Sequence, residues 1–277
     1  MPVTLEWKNN NELFKQFFSG GKMSLLSLAK PILKRILPTR ARQWLHEVNI
    51  KRSDGKLQAL GRADLFDAVY RERMWGGTPD QSSGWGSHGE HSSEYVDFVR
   101  DFIETNNIES VLDVGCGDFQ IGSRICGGVS RYIGADVSRF IIERNATAFS
   151  DLGNVQFMAL DVCADPLPQV DLITIREVLQ HLSNADIALA LNNIEQSQAR
   201  FALVTEHLPA PHVLRAPNLD KPRGPNIRNP YGSGVFIHLA PFNRPAEMVL
   251  TVKHPSYAGS PSHLVTTLWK LERHASA

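Results

Sequence analysis

The segment Val111-Leu112-Asp113-Val114-Gly115-Cys116-Gly117-Asp118 runs an apolar strand straight into a glycine turn and then into a helical stretch. Strand, tight turn and helix in that order open a βαβ unit, and this constrains the fold more than any other feature of the chain. The pattern continues, with β-rich runs at Ser110–Val114, Arg131–Asp136, Val155–Leu160, Val170–Ile175 and Phe201–Glu206 separated by helical stretches. Such alternation predicts right-handed crossovers and a parallel sheet covered on both faces. Glu247–Lys253 and His263–Leu271 read as two more strands joined by a Pro/Gly/Ser turn with no helix between them, so they should pair antiparallel. The expected fold is α/β: a doubly wound, mostly parallel, seven-stranded sheet with an antiparallel C-terminal hairpin and a helical N-terminal extension.

A length of 277 residues with 42% hydrophobic content supports a sizeable core and excludes general disorder. The catalytic domain is placed at residues 65–277, after an extension at 1–64. That extension is basic: Lys22, Lys30, Lys34, Arg35, Arg40 and Arg42 lie between Lys22 and His46 without an acid. Leu25, Leu26, Leu28, Ile32, Leu33, Ile36 and Leu37 recur among them at near-helical spacing, as in a helix lying on an anionic surface. Packing on the body with the lysines solvated is the plainer reading; peripheral contact with a membrane is the functional one. The glycine-rich stretch from Trp75 to His91 predicts a long loop, and Glu94 to Asn106 a helix capped by Ser92 or Ser93.

With 29 bases against 29 acids, the chain lacks the overall positive field of a general nucleic-acid binder. Three cysteines, Cys116, Cys126 and Cys163, an odd number without CxxC spacing, argue against a disulfide framework or a thiolate zinc site and point to a reduced, cytoplasmic setting. No uncharged apolar run approaches the roughly 18–20 residues of a spanning helix.

Glycine at 115 and 117 lets backbone approach a ligand closely, and the helix that follows offers free N–H donors, so a nucleotide-like ligand is expected there. The dinucleotide fingerprint requires a third glycine at 120, where the chain has Gln120, which argues against NAD. A carboxylate about 20 residues beyond such a turn, at a strand's C-terminal edge, can accept two hydroxyl hydrogen bonds, and Asp136 has that position.

Acid-x-Gly-x-Gly after a first strand resembles motif I of class I S-adenosylmethionine-dependent methyltransferases, a likeness that runs from about Tyr95 to Glu206. The resemblance implies S-adenosylmethionine as cofactor, Asp136 on the ribose hydroxyls, and Asp161 after the third strand on the adenine amino group. Asp113, Gly115, Cys116, Gly117, Val137, Val162 and Arg176 complete the implied cofactor surroundings. Asp113 can equally bond backbone within its turn, Cys116 reads as a small filler, and Arg176 as half of a local ion pair with Glu177. The run Asp171 to Leu182 resembles the family's post-strand segment beside the methyl group.

A hydroxyl acceptor needs its proton removed, and histidine is tuned nearest neutrality for that task. His181 and His207 each follow a strand at the sheet's C-terminal edge and are the candidate bases. Glu177, Glu206, Trp85, His88, Arg228 and Tyr231 are the candidate acceptor-binding residues. His88 and His91 could ligate a metal or line the acceptor cleft, but outside a helix their spacing is weak evidence for a metal, and none is expected. Trp75, Trp85 and Tyr95 suit a lid over the cofactor.

Asn229-Pro230-Tyr231 is similar to the tetrapeptide of amino-group nucleic-acid methyltransferases, but that motif belongs after the fourth strand, so it is discounted. Ser83–Ser87, Gly115–Gln120, Glu177–Leu182 and Pro241-Phe242 resemble bacterial methyltransferases of uncertain acceptor, some of them associated with surface glycans or phosphate-decorated sugars. The expected reaction is O-methylation of a saccharide or saccharide-linked acceptor. The alternatives are O- or N-methylation of a small natural product, and a non-catalytic S-adenosylmethionine-binding regulatory subunit.

Overall fold

The computed structural model describes residues 39–78, 82–84, 92–257 and 260–272. Its contacts divide the chain at Trp44/Leu45, and the sheet with its helices belongs to the unit from Leu45 onward. That unit begins before the expected boundary at residue 65. Helix α1 (Thr39–Lys56) contributes buried Ile50 and Asp54 to it, and α2 (Arg62–Arg71) contributes Leu65, Phe66, Val69 and Tyr70. The side chains of the basic stretch Lys22–His46 lie outside the described residues. Among the described residues no helix is long and apolar enough to cross a membrane.

Helix α3 (Ser93–Thr105) leads into β1 (Ser110–Val114), and α4 (Gly122–Ile125) follows the glycine turn. Then come β2 (Arg131–Asp136), α5 (Arg139–Ala148), β3 (Val155–Ala159), β4 (Leu172–Arg176), α6 (Asn184–Glu195) and β5 (Phe201–Pro209). The hairpin β6 (Ala246–Tyr257) and β7 (Ser260–Lys270) ends the sheet. The strand order is β3-β2-β1-β4-β5-β7-β6, with the first five strands parallel and β7 antiparallel to both β5 and β6. The doubly wound seven-stranded sheet is therefore the one expected from sequence.

Side chains alternate between faces along each strand, so β1 sends Leu112 and Val114 into one layer and Val111 into the other. The first layer packs on α2 and on Ile187, Ala190, Leu191 and Ile194 of α6; the second packs on Tyr95, Val96, Val99 and Ile103 of α3 and on Ile141 of α5. Ser138 and Ser183 cap α5 and α6 by accepting from Ile141 N and Asp186 N, which fixes where these helices leave the sheet edge. Ser92 does occupy the N-cap position of α3, but its hydroxyl accepts from Arg124 Nη1 at 2.8 Å instead of capping the helix.

Three expectations need adjustment. The β3–β4 connection contains no helix, because Pro166 and Pro168 lack N–H donors and break helical hydrogen bonding there. Strand β5 runs three residues beyond Glu206, since its antiparallel partner continues to pair as far as Pro209 opposite Ser262. The hairpin strands are likewise longer than predicted.

Candidate active site at the topological switch

The chain winds from β1 outward through β2 and β3, then returns to β4 on the other side of β1, so the crevice between β1 and β4 is the switch point where open α/β sheets bind ligands. The glycine turn lies on one side of it and the post-β4 segment on the other. Gly115 has φ +72°, and a Cβ there would stand 2.2 Å from Val178 Cγ2, so only glycine allows the two segments to close together. Gly117, at φ +54°, has Ser83 Oγ 2.2 Å from where its Cβ would lie. Phe119, at φ +64° and fully buried, takes the chain out of the turn and packs on Tyr132, Phe149 and Phe157.

Asp136 ends β2 beside this turn. Its Oδ2 accepts from Gly117 N at 3.3 Å and Tyr70 Oη at 3.1 Å, and its Oδ1 accepts from Ser138 N at 2.9 Å. Burial pushes its carboxyl up to about 6 despite these donors. Val137 lies next to it, half-buried against the core. Asp113 works inside the sheet: Oδ2 accepts from Tyr132 Oη and Oδ1 from Thr174 Oγ1, both at 3.0 Å, tying β1 to β2 and β4. Side chains of the neighbouring strands thus hold the Asp113 carboxylate, where the sequence suggests the backbone of its own turn or the cofactor. Cys116 is a buried thiol whose pKa burial raises, in keeping with a filler.

Asp161 accepts from Arg62 Nε at 2.6 Å and from Cys163 N at 3.0 Å, while Val162 is buried in the core. Arg62 also bridges to Asp186 at 2.8 Å, so α2 is tied across the edge where the third strand ends. The N-terminal segment covers the turn as well: Ser82 N and Ser83 N donate to Asp118 Oδ2, and Asp118 N donates to Ser83 Oγ at 2.7 Å. The sequence reading missed Arg62, Tyr70 and Asp118, although Leu65, Phe66, Val69 and Tyr70 at helical spacing were a legible sign of a helix docking on the sheet.

After β4, Arg176 Nη1 lies 2.9 Å from Glu177 Oε1, the local ion pair, and the guanidinium stands over the Tyr95 ring at 5.2 Å. Glu177 has φ +57°, a left-handed conformation that costs a non-glycine residue strain and is concentrated at functional sites. His181 closes the 3₁₀ turn Leu179–His181, with its ring 4.9 Å from the Trp75 ring and 6.5 Å from Phe66. Its Nδ1 is buried and has no hydrogen-bond partner. Burial first, and then the positive charge of Lys221, lower its pKa to about 3, so the imidazole is neutral at physiological pH. Trp75 Nε1 donates to Pro225 O at 2.9 Å, linking α2's end to the long loop after β5.

The other candidates fall elsewhere. His207 is 3% exposed, and its Nε2 shares a 2.6 Å hydrogen bond with Ser262 Oγ of β7, a partner inside the sheet that argues against its serving as the base. Glu206 was expected at the acceptor, yet Oε1 accepts from Leu179 N and Oε2 from Gln180 N, so it holds the turn from behind. Arg228, 1% exposed, donates to the carbonyls of Leu179, Gln180, Leu182 and Leu219 and is likewise turned inward. Trp85, His88 and His91, and the side chain of Tyr231, lie outside the described residues. No cluster of His, Cys, Asp and Glu suited to a metal occurs among the described residues. An open depression lined by His238, Arg244, Glu247 and Lys270 lies at the β6–β7 side of the sheet, away from the switch point.

Residues 112–199 match a family model described as a methyltransferase domain. No curated protein matches the chain by sequence. Among solved structures, the N-methyltransferase NodS from Bradyrhizobium japonicum WM9, crystallised with S-adenosyl-L-homocysteine, shares the fold at TM-score 0.51 and 14% identity, covering 81% of this chain and 100% of that one. The magnesium protoporphyrin IX methyltransferase ChlM from Synechocystis PCC 6803 aligns at TM-score 0.49 and 13% identity, over 75% of this chain and 97% of that one. The YcgJ protein from Bacillus subtilis aligns at TM-score 0.47 and 15% identity, over 65% and 99%. The matched segment, residues 112–199, is thus a methyltransferase domain, and the fold around it is that of class I S-adenosylmethionine-dependent methyltransferases.

Proposed function

We propose that the enzyme methylates a hydroxyl of a saccharide or saccharide-linked acceptor, with His181 as the group that receives the acceptor's proton. The observation that carries this reading is the buried His181 Nδ1, without a hydrogen-bond partner and a few residues past the end of β4. A polar atom buried without a partner calls for a function, and an imidazole nitrogen at the post-β4 edge can accept a hydrogen bond from an acceptor hydroxyl.

The switch-point crevice fits the cofactor because Asp136 ends β2 beside the glycine turn and places a carboxylate there for hydroxyl groups. Gly115 and Gly117 would hold the cofactor's chain and Asp136 its ribose, with Asp161 at the adenine. When bound, S-adenosylmethionine supplies an activated methyl group with its own leaving group. The remaining work belongs to this chain: aligning the acceptor oxygen, excluding water and taking up one proton. Trp75, beside His181, offers an aromatic face to a sugar ring. Glu177 and Arg176 offer hydrogen-bonding groups at the same edge.

The test is a panel of glycosides, lipid-linked saccharides and amine-bearing small molecules incubated with isotope-labelled cofactor and read by mass spectrometry. The reading requires one methyl group gained at a saccharide hydroxyl and a loss of about 10²–10⁴ in turnover for His181→Ala. Methylation confined to nitrogen, or full turnover in His181→Ala, overturns it.

A further inference from the structure

The turn that carries His181 is three residues long, yet three buried side chains, a carboxyl and two bases, converge on it from other parts of the chain. On its N–H side, Leu179 N donates to Glu206 Oε1 at 3.0 Å and Gln180 N to Glu206 Oε2 at 2.9 Å. On its carbonyl side every oxygen from Leu179 to Leu182 accepts from a cation. Arg228 Nη1 reaches Leu179 O at 3.2 Å and Gln180 O at 3.0 Å, Arg228 Nη2 reaches Leu182 O at 2.7 Å, and Lys221 Nζ reaches His181 O at 3.3 Å. Glu206, Arg228 and Lys221 are 2%, 1% and 2% exposed. Lys221 is itself paired with Asp54 at 3.0 Å.

Short turns normally satisfy their end groups with water or with small polar side chains. Burying such groups carries a large desolvation cost, which pushes the Glu206 carboxyl up to about 8 and the Lys221 amine down to about 8, and the hydrogen bonds that converge from both ends fix the turn. Acid at the N–H end and base at the carbonyl end also match the sign of the turn's own dipole. What the arrangement fixes is the origin of one side chain, the imidazole whose Nδ1 has no partner.

We propose that Glu206, Arg228 and Lys221 form a buried hydrogen-bonding clamp that positions the His181 imidazole against the acceptor, so that all three are positioning residues. The inference rests on the reading of His181 given above. It also gives the inward-turned Glu206 and Arg228 a part in the reaction, exercised through the backbone of the turn.

The test uses the full chain labelled with ¹³C-histidine and saturated with S-adenosyl-L-homocysteine, with the His181 ring signal assigned from its loss in His181→Ala. Wild type should give one narrow signal. Arg228→Lys keeps the charge but loses the planar fork, and Glu206→Gln keeps the shape but loses one acceptor; both should broaden or split the His181 signal while binding S-adenosyl-L-homocysteine within about twofold of wild type. Thermal midpoints measured alongside identify the variants that are folded, and either variant alone suffices. A ring signal unchanged in position and width in a folded variant overturns the clamp.

Turnover on a positive member of the acceptor panel supplies a second readout. Arg228→Lys should cost about 10²-fold alone, as expected for a displacement near 1 Å, and little more in a His181→Ala background. Additive losses overturn the clamp. Wild-type turnover in His181→Ala overturns instead the functional reading of the histidine, while the ring signal still decides the clamp by itself.

Discussion

Asp136 illustrates how a single carboxylate can report on cofactor binding. Three donors already surround it, so it serves a ribose best when ionised, and burial holds its pKa at about 6. As pH falls through 6 the carboxylate gains a proton and one oxygen turns from acceptor to donor. S-adenosylmethionine affinity measured by calorimetry should therefore be constant above pH 7 and fall below pH 6, and Asp136→Asn should abolish that dependence. Asp136→Ala should weaken binding by about 1.5–3 kcal/mol, the range for hydrogen bonds to charged groups; unchanged affinity would remove Asp136 from the ribose. The role of this residue was legible because its distance from the glycine turn is fixed by one βαβ unit. Glu206, His207 and Arg228 were misread for a related reason: sequence gives a side chain's type and its place on an edge, whereas their partners, the turn at 179–182 and Ser262 of β7, come together only in the folded sheet.

At the scale of elements, the closeness of the glycine turn to the post-β4 segment is the feature on which the site depends. Gly115→Ala would set a Cβ 2.2 Å from Val178 Cγ2 in a left-handed backbone, so the segment bearing Glu177 and His181 must move. A loss of about 1–3 kcal/mol in stability is expected from the backbone strain, with the methyl clash adding to it. Loss of turnover should accompany it at temperatures where the variant is still folded. Wild-type melting and turnover in the Gly115→Ala variant would show that the two segments are less tightly coupled than these distances require. The parallel strands were readable because burial on both faces leaves mostly apolar runs, as in Val111–Val114 and Leu172–Ile175, each interrupted by one polar residue, Asp113 or Thr174. The ends of β5 and the hairpin were not, since how far an antiparallel pair extends depends on the partner's register and not on local propensity.

For the molecule as a whole, the fully buried Lys221–Asp54 pair joins the segment before the sheet to the loop after β5. Lys221→Met leaves the Asp54 carboxylate without its cation and should cost about 3–5 kcal/mol by chemical denaturation, the range for breaking a buried pair. Asp54→Asn combined with Lys221→Met removes both charges at similar volume and should recover most of that loss; if the double variant is no more stable than the single one, the pair is not what joins these segments. No sequence pattern marked this link, because a lone lysine in a proline-rich loop and a lone aspartate in a polar helix carry no periodicity. Strand β7 has a different consequence for the molecule. It lies between β5 and β6, so β5 keeps an unsatisfied edge until residues 260–270 have been synthesised and have left the ribosome. During translation the parallel half of the sheet would already be formed with an apolar, template-like margin exposed. The interval in which the nascent chain is most prone to aggregate would thus last until β7 has emerged, and codon choice between β5 and β7 would affect the yield of folded protein.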